Sequence, residues 1–229
     1  MDTRSSRPIP LFLTGLVALF SALVALSLSS GHADAHGLEA HHAAVKAPLT
    51  QKQVAFRSEM RRLWEDHITW TRLAIISLTT GSPDTQATVG RLLANQTDIG
   101  NAVKPFYGRA VGNELTKQLR SHILIAAEVV AAAKAGDTAK LADAQARWAA
   151  NGDAIATFLS RANPRQWKLA VMKAELRTHL KLTTDEAVAR LQGKWAADVA
   201  AYDRIHHHAL HLADLLSGGL IAQFPGRFS

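Results

Sequence analysis

Apolar residues recur along the chain at steps of three and four positions, which is the period of an amphipathic α-helix. The first such stretch begins near Gln51, passes through Leu63, His67 and Ala74, and stops at the turn formed by residues 81–83. Further stretches with this period cover residues 84–108, about 111–135, 138–162, about 166–181 and 183 to 218 or 225. No stretch alternates at period two for long enough to predict a strand. The pattern therefore predicts an all-α fold, a helical bundle of four main helices with two shorter helices.

Several residues mark where these helices begin and end. Gly136 suits the left-handed position that closes a helix, and Asp137 or Thr138 suits the N-cap of the next one. The Asn-Pro pair at 163–164 stops that helix. Thr183 and Glu186 have the spacing of a capping box, which predicts that the final long helix starts there.

The N-terminal segment has the composition of a secretory signal peptide. It combines a basic start at Arg4 and Arg7, an apolar run over 11–28, and small residues at Ala33 and Ala35 around a cleavage site. An uncleaved anchor is the alternative, because a run of this length just suffices to span a bilayer. The predicted organisation is a signal peptide over 1–35, a His-rich flexible linker over 36–50 and a helical bundle domain over 51–229. We therefore expect a periplasmic or secreted protein with no membrane span after signal cleavage.

The composition removes several classes of function. The chain has no cysteine, which excludes a c-type haem, an iron–sulfur cluster and a thiolate metal site. The net charge is +7, but Lys and Arg are scattered and no nucleic-acid-binding signature occurs, so we expect no nucleic-acid partner. The predicted helices contain no Glu-x-x-His, His-Glu-x-x-His, Gly-x-Ser-x-Gly or phosphate-binding glycine loop. These absences argue against di-iron, zinc protease, serine hydrolase and nucleotide chemistry.

Histidines are the main candidate functional residues. His67, His122 and His179 each lie on the apolar stripe of a different predicted helix, and such stripes converge in a bundle. Neutral imidazole is the commonest metal ligand in proteins, so we predict that these residues bind a metal. The alternative is that each is a core histidine with satisfied hydrogen bonds.

The last helix carries a second candidate set. His207 and His211 are four residues apart and share a face with Asp203 and Asp214, which is a spacing at which one helix chelates a metal. We predict this face inside the bundle or at a cleft. A solvent-exposed polar face is the alternative.

Two further pairs suggest a pocket for a small ligand or cofactor. Trp64 and Trp70 bracket His67 at three residues on either side, and Asp98 and Asn101 place an acid and an amide one turn apart. Indole rings and convergent polar groups are typical of ligand pockets. Core packing is the alternative.

Several short motifs resemble an uncharacterised family of small, often exported bacterial helical proteins. The motif residues are 63–67 (LWEDH) with 70–72 (WTR), 98–101 (DIGN), 106–108 (FYG), 121–122 (SH), 179–180 (HL), 213–214 (AD) and 221–224 (IAQF). The resemblance implies a helical fold over about 63–224. Some members are labelled glycosyltransferase or acetylglutamate kinase, but this chain has no nucleotide-binding motif. The triple histidine at 206–208 departs from the family pattern, which leaves His67, His122, His179 and Asp214 as the better metal candidates.

Together these patterns predict an exported bundle that binds a divalent transition metal (zinc, copper or iron) or a small polar ligand through interior His, Asp and Trp residues. Its role would be sequestration, delivery or sensing, and a protein partner is compatible with it. One alternative is a ligand-free structural or interaction bundle. The other is a metal-dependent hydrolase in which Glu65 or Asp98 is the general base. The patterns favour a non-enzymatic protein over an enzyme.

Overall fold

The computed structural model describes residues 48–229, and this range contains helices without any strand. The helices are α1 (Gln51–Thr80), α2 (Thr85–Ala135), α3 (Thr138–Ala162), α4 (Leu169–Leu191) and α5 (Trp195–Gln223), followed by a 3-10 turn (Pro225–Arg227). The all-α prediction is therefore confirmed. The predicted signal peptide, and the predicted linker as far as residue 47, lie outside the described residues.

Local chemistry explains most of the helix ends. Thr50 caps α1 in a capping box with Gln53, and Gly81 ends it in the left-handed conformation with φ of 71°. Gly136 ends α2 in the same way, and the Asp137 side chain accepts a hydrogen bond from the backbone of Lys140 at the start of α3. The ends predicted at residues 81–83 and 136–138 are confirmed.

Helix α2 folds back on itself at Gly108, where φ is 84° and ψ is 170°. The two halves run antiparallel, because the Arg120 guanidinium donates to the Leu93 carbonyl while Gly100 faces Gly112 nearer the bend. The predicted segments 84–108 and 111–135 are these two halves.

The predicted capping box at Thr183 is wrong. Helix α4 continues through this point to Leu191, and the chain turns at Gly193, where φ is 67°. The Thr183 hydroxyl donates to the His179 carbonyl within the helix, and the Glu186 carboxylate binds Arg72 of α1. Both polar side chains have partners inside the bundle, so tertiary contacts override the local start signal.

Each helix packs against the next, and α5 closes the bundle against α1. All five helices contribute to one core, which includes Met60, Leu115, Ile155, Met172 and Leu212. None of the helices in the described range is long and apolar enough to cross a membrane. This closed arrangement turns one face of every helix towards a common interior.

Candidate functional site

Four histidines from four helices lie together in the interior. His67 of α1, His122 of α2, His179 of α4 and His208 of α5 are each less than a tenth exposed. The ring centroid of His179 lies 5.7 Å from that of His67, 5.9 Å from that of His122 and 6.1 Å from that of His208. We call these four residues the imidazole cluster. The expectation that His67, His122 and His179 face one interior is confirmed.

His122 has hydrogen bonds at both ring nitrogens. The Trp148 indole nitrogen, which can only donate, lies 3.2 Å from Nε2, so Nε2 accepts and the ring proton is on Nδ1. Nδ1 then donates to the Asn151 side-chain oxygen at 2.8 Å. These two bonds use both the proton and the lone pair of the neutral ring. Neither nitrogen of His122 is therefore free to bind a ligand.

His67 is held from one side only. Its Nδ1 lies 3.1 Å from the Gln96 amide nitrogen, which also donates to the Leu92 carbonyl at 2.8 Å. Gln96 and its neighbour Asn95 are fully buried beside the ring. Nε2 of His67 has no hydrogen bond within the described residues.

The other two rings contain unpartnered nitrogens. Nδ1 of His179 and Nε2 of His208 are buried without a hydrogen bond to any described residue. The second nitrogen of His208, Nδ1, lies 3.7 Å from a carboxylate oxygen of Glu175. A buried polar atom without a hydrogen bond lowers the stability of a protein by about 1–3 kcal/mol. These two nitrogens are therefore available to bind a ligand.

All four rings are held in the neutral state. Burial, reinforced by the nearby His122, lowers the pKa of His67 to about 3 against the opposing effect of the neighbouring Asn95 side chain. Burial lowers the pKa of His122 to about 4, and it lowers the pKa of His179 well below the usual value with help from the surrounding imidazoles. The pKa of His208 is also lowered by burial, despite Glu175. The cluster therefore offers lone pairs and N–H groups at neutral pH and carries no positive charge.

A cavity of about 40 Å³ lies beside the imidazole cluster, and we call it the central cavity. Side chains from all five helices line it, together with Trp167 from the α3–α4 connection. The rings of His67, His122 and His179 form part of its wall, and that wall is entirely apolar. The cluster thus borders an apolar cavity at the centre of the bundle.

The second predicted metal set lies at the surface. His207 and His211 are exposed, and Asp214 forms a two-pronged ion pair with Arg61 of α1. The solvent-exposed alternative for this helix face is therefore the arrangement found. The structure does not bring these three residues together with His67, His122 and His179.

The predicted ligand-pocket residues are divided between core and surface. Trp64 is buried and its indole meets the His67 ring edge-on, with centroids 5.6 Å apart. Trp70 is only partly buried, with the Arg91 guanidinium 5.4 Å above its ring. Asp98 and Asn101 are exposed, which corrects the expectation that they contribute to a polar interior. They lie on the outward face of α2.

Sequence reasoning missed three buried polar residues at the imidazole cluster: Asn95, Gln96 and His208. His208 follows Ala201 and Ile205 at helical spacing and is followed by Leu212 on the same side of α5, a pattern that places it on the apolar stripe. Asn95 and Gln96 fall in the same way between Leu92 and Ile99, which are both buried.

A second buried polar network joins α1, α4 and α5. The Arg72 guanidinium binds the carboxylates of Glu186 at 2.7 Å and Asp198 at 2.9 Å, and Arg190 approaches Asp198 at 3.3 Å. Burial raises the pKa of Glu186 to about 7, against the opposing effect of Arg72. Two acids and two arginines lie here, so this network fastens the three helices together.

These features define the protein as an all-α bundle with a buried cluster of neutral imidazoles. Within the described residues, no group of three His, Asp or Glu side chains is already arranged to hold a metal ion. Comparison with family models, curated proteins and solved structures finds no match.

Proposed function

We propose that the protein binds a transition-metal ion through the imidazole cluster, for sequestration, delivery or sensing outside the cytoplasm. The ligands are His179 at the centre with His67 and His208 on either side. The observation that carries the proposal is the pair of buried, unpartnered ring nitrogens on His179 and His208. His122 does not belong to the ligand set, because its hydrogen bonds occupy both nitrogens.

The spacing of the rings is close to what a shared ion requires. With metal–nitrogen bonds of about 2.0–2.1 Å, two imidazoles on one tetrahedral ion have ring centroids about 5 Å apart. The centroids of His67 and His208 lie 5.7 and 6.1 Å from that of His179. Closing these gaps requires ring movements of about 1 Å or less, and the adjoining cavity provides space for them.

The surroundings of the outer rings also suit metal ligation. Ligating histidines usually have their second nitrogen held by a carboxylate or another polar group. His208 faces Glu175 through Nδ1. Gln96 contacts Nδ1 of His67 through its amide nitrogen. Its side-chain oxygen, which has no hydrogen bond within the described residues, must turn to Nδ1 so that Nδ1 carries the ring proton and Nε2 of His67 is free to bind the ion. The neutral state of the rings removes competition from protons, and imidazole suits zinc, copper and iron alike.

The test is metal retention by the chain expressed without an affinity tag. Histidines outside the interior would add weak metal binding, so His36, His41 and His42 of the N-terminal segment and the exposed His207 and His211 are first replaced by Ala to give a background variant. After loading with zinc, copper or iron and dialysis, we expect about one ion per chain to remain. Cobalt absorption in the visible range reports imidazole coordination independently.

His179→Gln and His208→Gln in this background should each abolish retention. His206→Gln is the matched control, because His206 lies two residues from His208 but binds Glu65 at the surface. Circular dichroism verifies that each variant is folded. Retention that is unchanged in both interior variants, or absent from the background variant, contradicts the proposal.

A ligand-free interaction bundle is the second candidate, and the saturated hydrogen bonds of His122 favour it. Ligands that bind only the folded state raise the melting temperature. If none of the three metals raises the Tm of the background variant, while His67→Leu leaves its stability unchanged or higher, the ligand-free candidate is correct. The hydrolase alternative is not proposed, because Glu65 and Asp98 both lie at the surface.

A further inference from the structure

The central cavity lies beside the proposed metal ligands, but metal binding does not explain its size or its apolar wall. Its volume is about 40 Å³, and it lies in the middle of the core where all five helices meet. Interiors of proteins pack to the density of organic crystals, so a void of this size is a distinct feature of the molecule.

Water is a poor occupant of this space. A buried water molecule needs two to four polar partners, whereas the wall of the central cavity is entirely apolar. His67 and His179 have ring nitrogens without hydrogen bonds to any described residue, but no polar atom of these side chains is accessible from the cavity. An uncharged apolar molecule loses no hydrogen bonds on entering and gains dispersion contacts with the wall.

The volume limits the size of the occupant. An engineered apolar cavity of about 150 Å³ accepts benzene or xenon. The central cavity has about a quarter of that volume, which leaves room for roughly one or two heavy atoms. Aromatic and lipid-like ligands are therefore too large for it.

We propose that the central cavity binds one small apolar molecule, of the size of xenon or dioxygen. The bound molecule contacts the ring faces of His67 and His179 as well as aliphatic side chains such as Val103 and Ile155. The proposal does not rest on metal binding, because the cavity wall is complete without an ion. If the imidazole cluster holds a metal, the cavity places the small molecule beside it.

Xenon is the probe, applied under pressure to the metal-free full chain and followed by methyl NMR spectra. We expect saturable shifts for the methyl groups of Val103, Ile155 and Leu176, which line the cavity. The methyl groups of Val130 should not shift, because it packs against Ile75 and Ala187 in a separate cluster.

Val103→Ile adds one methylene into the cavity and should weaken xenon binding by about tenfold or more. Val130→Ile is the matched control, since it is the same change at a buried position away from the cavity, and it should leave xenon binding unchanged. Equal xenon binding in both variants, or wild-type shifts that do not saturate, would overturn the proposal.

Ile155→Val provides a second test that does not depend on overfilling the core. It enlarges the cavity by one methylene, so xenon should bind at least as tightly as in wild type. Cyclopropane should also bind this variant while the wild-type protein excludes it. A variant that binds neither gas contradicts the proposal even if Val103→Ile fails to fold.

Discussion

At the scale of single residues, the hydrogen bonds of His122 distinguish it from the other members of the imidazole cluster. The Trp148 indole fixes the position of the ring proton because it can only donate. His122 is thereby a structural link between α2 and α3, whereas His179 has a buried nitrogen with no such link. Equal burial of two histidines thus corresponds to different roles.

Trp148→Phe tests this distinction. The change keeps an aromatic ring but leaves Nε2 of His122 buried without a donor, so the free energy of unfolding should fall by about 1–3 kcal/mol. Urea denaturation at pH 7 measures it. Trp70→Phe is the control, because Trp70 is partly exposed and its indole nitrogen makes no hydrogen bond within the described residues. Weakening its Arg91 cation–π contact should cost about 0.5–1 kcal/mol. Equal losses in the two variants would show that the Trp148 hydrogen bond is energetically unimportant.

The residue scale also shows why the sequence identified only part of the site. His67, His122 and His179 stand alone on apolar stripes, so helical periodicity suffices to place them inside. His208 is the last of three consecutive histidines, which point in directions about 100° apart around the helix. The spacing to Ile205 and Leu212 favours His208, but α5 is apolar over most of its circumference, so the signal is weak until packing against α1 and α4 sets the rotation of the helix.

At the scale of elements, the return of α2 at Gly108 depends on a close approach between its halves. A Cβ atom on Gly100 would lie 1.9 Å from the Thr116 hydroxyl oxygen and 2.7 Å from the Gly112 carbonyl oxygen. Only glycine permits this distance between the two helical segments. The bend therefore requires small residues on the facing surfaces as well as the left-handed Gly108.

Gly100→Ala should consequently destabilise the protein strongly, by about 1–3 kcal/mol or more, because the backbone on the facing segment must move. Gly90→Ala is the matched control in the same helix. Gly90 has nothing within 4 Å of its Cβ position, so this change should stabilise the protein by about 0.5–1 kcal/mol through helix propensity. Thermal unfolding of both variants checks the opposite signs. A small or positive effect of Gly100→Ala would argue against the tight hairpin.

Helix ends that depend on the backbone conformation of one residue were predictable, as at Gly81, Gly136 and Asp137. The capping box at Thr183 failed for a physical reason. Its hydroxyl bonds to the carbonyl one turn earlier, and Glu186 is drawn inward by Arg72 from another helix. Local signals cannot reveal a partner that is more than a hundred residues away.

At the scale of the whole molecule, the buried titratable groups make folding depend on pH in two opposite ways. The pKa values of His67, His122 and His179 are lowered in the folded state, so their contribution to stability is present above about pH 6.5 and is lost as the pH falls. Glu186 has a raised pKa of about 7, so its contribution is present at low pH and is lost as the pH rises towards 7. The three histidines outnumber the single glutamate, and the protein should be acid-labile.

Near pH 5, unfolding should take up about three protons at these histidines and release about one from Glu186, a net uptake of about two. At about 1.4 kcal/mol per proton and pH unit, the free energy of unfolding should fall by about 3 kcal/mol for each pH unit that the pH is lowered.

His67→Leu should reduce that slope by about 1.4 kcal/mol per pH unit, since it removes one of the protons taken up. His207→Leu, at an exposed position of α5, should leave the slope unchanged. Urea denaturation at a series of pH values measures all three proteins, and identical slopes for wild type and His67→Leu would mean that the His67 imidazole is not held neutral by burial.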